Sequence, residues 1–295
     1  MRPCTSTNIH EMYLETPYYF TIEESLHACR EAGFRAVDLN LHTATLPGGP
    51  LADDRTWRDW VSKIASIRDQ LGITFPYAHT HFYVWPVSDA KELARHEELL
   101  CRSIDAAGML GVGWIVVHPY SVCDDAWYSR KDSLEYNLTY MRKYADAARK
   151  YDNLGLAIEN MVEDRKKRRF GSCVEDLLEL YDALDDSIFG LCWDFGHGVR
   201  SNIDTGASLR QMGKLLKVVH VHDTNVDADH TLPFLGTTKW AEIMPVLKEI
   251  GFEGYWNYEC HNYTRFLPLD VRKTALKMAF DINNDMIRMA GLTES

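Results

Sequence analysis

Six short apolar runs of this sequence end in a histidine or a carboxylate: His79, His118, Glu159, Asp194, His220 and Glu259. A carboxylate that follows a buried strand must be paired, hydrogen-bonded or bound to a metal, because burying an isolated charge costs too much free energy. Glutamates, an aspartate and histidines together form a mixed oxygen and nitrogen set. Such a set suits Mn²⁺, Mg²⁺, Co²⁺ or Zn²⁺ and does not suit metals that prefer thiolates.

These residue types indicate a definite chemistry. A divalent cation polarises a carbonyl group or lowers the pKa of a hydroxyl group or water. Two carboxylates on opposite faces of a sugar carbon can pass protons to and from it. Each residue also has a structural interpretation: a hydrogen-bonded histidine, a buried ion-pair partner or, for Asp194 and His197, a turn and a helix cap. Polar endings on six consecutive runs favour a functional site.

The elements that must position these residues repeat eight times as an apolar run, a loop and an amphipathic helix. The predicted strands are Asn8–Met12, Ala36–Leu41, Thr74–His79, Trp114–His118, Leu156–Glu159, Gly190–Asp194, Val218–His222 and Tyr255–Glu259. The predicted helices are Ile22–Ala32, Arg55–Leu71, Ala90–Leu110, Ser133–Tyr151, Val174–Leu184, Ala207–Met212, Trp240–Ile250 and Asp270–Met289. Gly33, Gly72, Gly111 and Gly251 each follow a predicted helix, as helix-terminating glycines do.

Strands that alternate with helices predict a parallel sheet. The chain has 295 residues, and a (β/α)₈ barrel typically needs about 250. We therefore predict an α/β protein with a single (β/α)₈ TIM barrel domain over residues 1–295. A doubly wound open sheet is the alternative, but no GxGxxG motif follows the first strand. In a barrel the carboxyl ends of all strands converge on one mouth, where active sites lie.

Composition disfavours nucleic-acid-binding, disulfide-rich and membrane proteins. The formal net charge of −11 disfavours nucleic-acid binding, although a local basic patch would suffice for a small anionic substrate. Seven scattered cysteines without a CxxC pair disfavour disulfides and predict a reducing, cytoplasmic location. The sequence contains no run of 18 apolar residues, so no membrane-spanning helix is predicted. Met1–Glu15 lacks the apolar core of a signal peptide.

Other features carry weaker signals. Trp85 follows the strand that ends in His79, and its ring could stack on a sugar. The basic run at 165–169 is either a solvated loop or an anchor for a phosphate or carboxylate. Five further histidines are interpreted as structural: His10, His27, His42, His96 and His261.

The motifs at four strand ends resemble those of one family. They are Glu-Asn at 159–160, Trp-Asp-Phe-Gly-His at 193–197, His-Val-His-Asp at 220–223 and Tyr-Glu at 258–259. Together they resemble the xylose isomerase-like TIM barrels over nearly the whole chain. That superfamily contains sugar isomerases and epimerases, inosose dehydratases and apurinic endonucleases.

The resemblance implies roles for individual residues. Its ketose epimerases hold a metal with residues that correspond to Glu159, Asp194, His220 and Glu259. The same two glutamates, Glu159 and Glu259, would form the proton-transfer pair. His197 corresponds to a histidine that contacts substrate in the epimerases and metal in the endonucleases, and His79 and His118 correspond to endonuclease histidines. The predicted substrate-binding residues are His79, His118, His197, His230 and Trp85.

Two departures from the family pattern concern the loop after strand seven. Ala228 stands where the endonucleases have an aspartate, when His230 is aligned, so that Asp227 or Asp229 could replace it only with a local shift. The stretch Thr224–Asp227 lacks the arginine that the epimerases carry. The first departure disfavours a three-metal centre, and the second disfavours an epimerase of free ketohexoses.

The function predicted from these features is a divalent-metal-dependent sugar or sugar-phosphate isomerase or epimerase, which transfers protons through a metal-stabilised enediolate. The alternatives are a metal-dependent dehydratase of an inositol-like ketone, a phosphodiesterase or abasic-site endonuclease, and a barrel that binds a ligand without catalysis. The predicted partner is a small carbohydrate or polyol ketone, without nucleic acid or membrane. A homo-oligomer is left open, with the last helix as a candidate contact.

Overall fold

Eight parallel strands close into a barrel in chain order, with β1 paired to both β2 and β8. The computed structural model describes residues 1–11, 20–84, 87–123, 127–163 and 168–291. The strands β1 to β8 are Arg2–Ser6, Ala36–Asn40, Thr74–His79, Trp114–Val117, Gly155–Glu159, Phe189–Asp194, Leu216–Val221 and Tyr255–Tyr258. The chain is thus a (β/α)₈ TIM barrel, as its sequence predicts.

Ten helices, α1 to α10, lie in the described part of the chain: Ile22–Ala32, Leu41–Thr45, Trp57–Leu71, Ala90–Met109, Arg130–Ala148, Val174–Leu184, Phe195–Arg200, Thr205–Met212, Trp240–Glu249 and Leu269–Met289. Several begin at side chains that cap the first turn. Thr21 and Glu24 form a capping box at α1, and Asp89 accepts two backbone N–H groups at α4. None of the described helices is both long enough and apolar enough to cross a membrane.

The first predicted strand is wrong. Asn8 lies in a short 3-10 helix, Thr7–Ile9, and β1 is the preceding segment Arg2–Ser6, while Met12 lies outside the described residues. The segment Arg2–Ser6 escapes a search for apolar runs because its sequence is mostly polar, yet its last three residues are buried. The other predicted strands and helices lie within a few residues of the observed elements.

The four helix-terminating glycines confirm the predicted boundaries. Gly33, Gly72, Gly111 and Gly251 all have positive φ, between 58° and 120°. This backbone region is costly for residues with a Cβ atom, so glycine ends these helices with little strain. The seven cysteines are all free thiols in this structure.

The polar mouth follows directly from the two-residue period of the strands. A small apolar cluster is formed by one residue from each of seven strands: Cys4, Ala36, Tyr77, Val116, Ala157, Cys192 and Val218. Residues two positions apart on a strand point to the same side. Two positions further along lie Ser6, Asp38, His79, His118, Glu159, Asp194 and His220. The layer above the apolar cluster is therefore polar, and it faces the carboxyl ends of the strands.

Candidate metal centre at the barrel mouth

Glu159, His220 and Glu259 meet at the centre of this polar layer. The Nδ1 atom of His220 lies 2.8 Å from Oε1 of Glu159 and 3.3 Å from Oε2 of Glu259. The side chains of Glu159 and His220 are essentially buried, whereas 14% of the Glu259 side chain is exposed. Glu259 is therefore the carboxylate of this group that is more open to a ligand from the mouth.

Asp194 completes the group from the end of β6. Its Oδ1 atom accepts the backbone N–H of His197 at 2.7 Å and so caps α7. Its Oδ2 atom lies 3.0 Å from Nε2 of His222. The helix-cap interpretation of Asp194 is correct, and the cap holds the carboxylate in place beside the other acidic groups.

His222 packs directly on the first turn of α7. A Cβ atom at Gly196 would lie 1.9 Å from Cε1 of His222, so a side chain at this position would displace the ring. Glycine at 196 thus allows His222, which is fully buried, to approach Asp194.

His79 and His118 occupy the other side of Glu159. Nε2 of His118 is 3.0 Å from Oε2 of Glu159, and Nε2 of His79 is 3.4 Å from the same atom. The two imidazoles also approach each other, with 3.0 Å between their Nε2 atoms. The Oε2 atom of Glu159 therefore points to two histidines, and its Oε1 atom points to His220.

Asp223 holds the loop that carries His230. Its buried carboxylate accepts four hydrogen bonds, from the backbone N–H groups of Thr224, Phe234 and Thr238 and from the indole N–H of Trp240. These bonds fix the loop between β7 and α9 on both sides of His230. An anchored loop is needed here because His230 adopts a φ of 50°, which is uncommon for a residue that is not glycine.

This loop brings Asp229 and His230 into the site. The rings of His222 and His230 stack with their centroids 3.8 Å apart, and the ring centroid of His261 lies 3.9 Å from that of His230. Asp229 lies 3.6 Å from Nδ1 of His222 and 3.4 Å from Nδ1 of His230, and it also pairs with Arg200. The local conformation therefore places an acidic side chain beside His230 despite Ala228.

The carboxylates and imidazoles set each other's protonation. Burial acts to raise the pKa of Glu159 and Glu259, but His220 and the other neighbouring histidines together outweigh it and keep the pKa of both well below the usual range. Burial acts to lower the pKa of His230, but hydrogen bonds to Asp229 and Glu259 raise it to about 10. The positive charge of the protonated imidazoles thus balances carboxylates whose charge a bound cation could balance instead.

The donor set fits a divalent cation. One candidate atom from each of Glu159, Asp194, His220 and Glu259 lies within 4.8 Å of the others. Ligand atoms at about 2.1 Å from a metal are separated by about 3.0 to 3.4 Å in octahedral or tetrahedral geometry. The separations of 2.8 and 3.3 Å around His220 Nδ1 are close to these values.

Two further groups that consist only of carboxylates and histidines share members with this set. One comprises Asp194, His222, His230 and Glu259, and the other comprises His79, His118 and Glu159. His197 lies beside them, with its Nδ1 atom 2.8 Å from the carbonyl of Asn160. Apart from Trp85, the structure thus brings all the predicted site residues to one mouth.

Some predicted features lie elsewhere or outside the described residues. Trp85 and the part of the basic run at 165–167 fall outside them. The described remainder of that run faces Glu163: Nε of Arg168 is 3.0 Å, and the backbone N of Arg169 is 3.2 Å, from its carboxylate. His42 and His96 contact other residues beside the mouth rather than this group.

His222 and Asp38 were not among the predicted site residues, and Asp229 was predicted to enter the site only with a local shift of its loop. A signal was present for His222, because residues two apart in a strand share a side, and His220 was already a candidate. A signal was also present for Asp38, the only charged residue in a strand whose five residues are all buried. Asp229 depends on the conformation of its loop, which the motif spacing does not reveal.

The chain belongs to the xylose isomerase-like TIM barrel family, whose sequence profile matches residues 26–281. No curated protein matches the chain significantly.

Solved structures of sugar epimerases share its fold. A D-tagatose 3-epimerase-like protein is 18% identical with a TM-score of 0.72, and the match covers 99% of this chain and 98% of that one. An L-ribulose 3-epimerase is 16% identical with a TM-score of 0.75, covering 98% and 95%. The 3-keto-D-glucoside 4-epimerase of E. coli is 14% identical with a TM-score of 0.71, covering 95% and 99%.

Proposed function

We propose that this protein is a sugar isomerase or epimerase that depends on one divalent cation held by Glu159, Asp194, His220 and Glu259. The observation that carries the proposal is the convergence of these four groups, from β5 to β8, with ligand atoms within 4.8 Å of one another. The bound cation would polarise the carbonyl of the substrate and thereby make the neighbouring C–H group more acidic.

The two glutamates are then placed for proton transfer. One carboxylate removes the proton from the carbon next to the carbonyl, which leaves an enediolate. Return of a proton to the opposite face of the same carbon gives an epimer, and return to the former carbonyl carbon gives an isomer. Glu259, with 14% of its side chain exposed, has the better access to a sugar, and Glu159 lies deeper.

The surrounding imidazoles would bind the sugar. His118 and His197 keep 15% and 12% of their side chains exposed, and His230 keeps 14%. Each can donate or accept hydrogen bonds from hydroxyl groups. The substrate class supported by the related structures is a ketose, because they include a D-tagatose 3-epimerase-like protein and an L-ribulose 3-epimerase.

Solvent deuterium incorporation tests the proposal. The protein, loaded in turn with Mn²⁺, Co²⁺, Mg²⁺ and Zn²⁺, is incubated in D₂O with D-tagatose, D-psicose, L-ribulose and their phosphates. We expect deuterium at the carbon next to the carbonyl of at least one sugar, detected by NMR, and none with Glu159→Gln. Loss of water from the product would assign a dehydratase instead. The absence of exchange with every sugar and metal would contradict the proposal.

A second candidate is metal-dependent phosphodiester hydrolysis, because carboxylates and histidines of the site form three overlapping groups of candidate ligands and Asp229 lies beside His230. A hydrolase of this kind uses two or more cations to activate water and stabilise the leaving oxygen. Cleavage of an abasic oligonucleotide, together with two or more zinc ions per chain, would favour it. The acidic net charge of −11 counts against a nucleic-acid substrate.

A further inference from the structure

Asp38 lies beneath the proposed metal site, on the side of His220 that faces away from the other ligands. Nδ1 of His220 faces Glu159 and Glu259, so Nε2 is the ring atom on the opposite side. Nε2 lies 3.8 Å from Oδ2 of Asp38. Both side chains are buried, with 0% of His220 and 1% of Asp38 exposed.

Both facing groups lack a full set of partners. Within the described ranges, neither Nε2 of His220 nor Oδ1 of Asp38 has a hydrogen-bond partner. Asn257 donates to Oδ2 of Asp38 at 2.7 Å, which satisfies part of this carboxylate. Leaving a buried ring nitrogen and a buried carboxylate oxygen unpaired is costly, so their proximity requires an explanation.

The gap is suited to a direct bond. The separation of 3.8 Å exceeds the length of a hydrogen bond by less than 1 Å. Asp38 belongs to the polar layer of the lumen, two residues beyond Ala36 of the apolar cluster. A small rotation of either side chain would therefore bring Nε2 and the carboxylate together without moving a strand.

We propose that Asp38 is a positioning residue for His220: its carboxylate accepts the Nε2–H hydrogen bond and directs the Nδ1 lone pair of that ring to the cation. The inference rests on the proposed metal-dependent function. A metal-bound imidazole carries its proton on the other ring nitrogen, and a carboxylate acceptor there fixes the ring orientation and strengthens the ligand. Asn257 in turn holds Asp38 from β8.

Metal affinity measured without substrate tests this role. Dissociation constants for Zn²⁺ and Co²⁺ are determined by competition with a chelator for the full chain, Asp38→Asn and Asp38→Leu. We expect about 10- to 100-fold weaker binding for Asp38→Leu. Asp38→Asn, which keeps the shape and one acceptor oxygen, should lose less. Val218→Ala is the matched control, because Val218 is buried on the strand of His220 and leaves Asp38 in place.

A spectroscopic signature separates positioning from packing. In the Zn²⁺-loaded protein the Nε2–H proton should give a low-field, slowly exchanging NMR signal, assigned by its loss in His220→Asn. It should persist in Val218→Ala and disappear in Asp38→Leu. Unchanged affinity and an unchanged signal in Asp38→Leu would overturn the inference, as would an equal loss of affinity in Val218→Ala. A wild-type chain that binds no metal would overturn the proposed function as well.

Discussion

Two groups of histidines lie side by side at the carboxyl end of the barrel, and they differ in their neighbours. The mouth cluster contains His79, His118, His220, His222 and His230, each within 3.4 Å of a carboxylate oxygen. The side cluster contains His42, His81 and His96. In it, His81 bonds to Thr45 at 2.7 Å and to His96 at 2.8 Å, and the carboxylate of Glu92 lies 3.8 Å from Nε2 of His96.

The difference in neighbours decides what the imidazoles do. Burial, followed by the neighbouring imidazoles, lowers the pKa of His42 to about 2 and that of His81 to about 4, so these rings are neutral. At His220 and His230 nearby carboxylates overcome burial and raise the pKa. A concentration of histidines alone therefore makes a hydrogen-bonded packing element, whereas histidines among carboxylates make a site that can hold a cation.

The largest effect is expected at the proton-transfer pair of the mouth cluster. Glu259→Gln keeps an oxygen ligand but removes the base, so turnover of the sugar that exchanges deuterium should fall about 10³-fold. Steady-state kinetics with added metal measure it. The control is Glu253→Gln, an exposed glutamate on the loop before β8, which should retain wild-type turnover. Full activity in Glu259→Gln would remove this residue from the chemistry.

A matched histidine pair tests the two clusters directly. His222→Gln removes the ring that contacts both oxygens of Asp194, and we expect about 10- to 100-fold weaker metal binding. His81→Gln should leave metal affinity unchanged, because the two ring nitrogens of His81 bond to Thr45 and His96 and not to a proposed metal ligand. Chelator competition gives both constants. Equal losses in the two variants would mean that the distinction between the clusters is wrong.

Glu11 extends the comparison to a buried carboxylate outside both clusters. Burial raises the pKa of Glu11 from 4.5 to about 7, so the folded state favours its protonated form. Its stabilising contribution is complete below pH 4.5 and is lost as the pH rises through 7. As the pH rises from 5 to 8, the wild type should therefore lose about 2 kcal/mol of unfolding free energy that Glu11→Gln does not lose. Urea denaturation at both pH values measures this gain, and parallel stability profiles of the two proteins would contradict it.

The smallest effect concerns the side cluster alone. His81→Gln should cost about 1 to 2 kcal/mol of unfolding free energy, because it removes two buried hydrogen bonds that a flexible amide restores only in part. Urea denaturation at pH 7 measures the change. A loss above about 5 kcal/mol would show that the side cluster supports the barrel far more than its contacts indicate.

The sequence predicted the barrel and most of the mouth for a physical reason. Apolar runs that end in a charged residue are detectable, and parallel strands bring those ends together, so Glu159, Asp194, His220 and Glu259 could be found. The segment Arg2–Ser6 could not be recognised as a strand because its burial depends on its neighbours β2 and β8 rather than on its own residues. Asp229 could not be placed from the sequence because the buried hydrogen bonds of Asp223 determine the path of its loop.

Metal content tests the central claim most directly. The wild-type protein, the double variant Glu159→Gln, Asp194→Asn and the variant His81→Gln are purified in parallel, loaded with Mn²⁺, Co²⁺, Mg²⁺ or Zn²⁺, desalted and analysed by elemental mass spectrometry. We expect about one divalent cation per chain in the wild type and in His81→Gln, and none in the double variant. A wild-type chain that retains no cation, or a double variant that retains the full amount, would contradict the assignment of the mouth cluster as a metal centre.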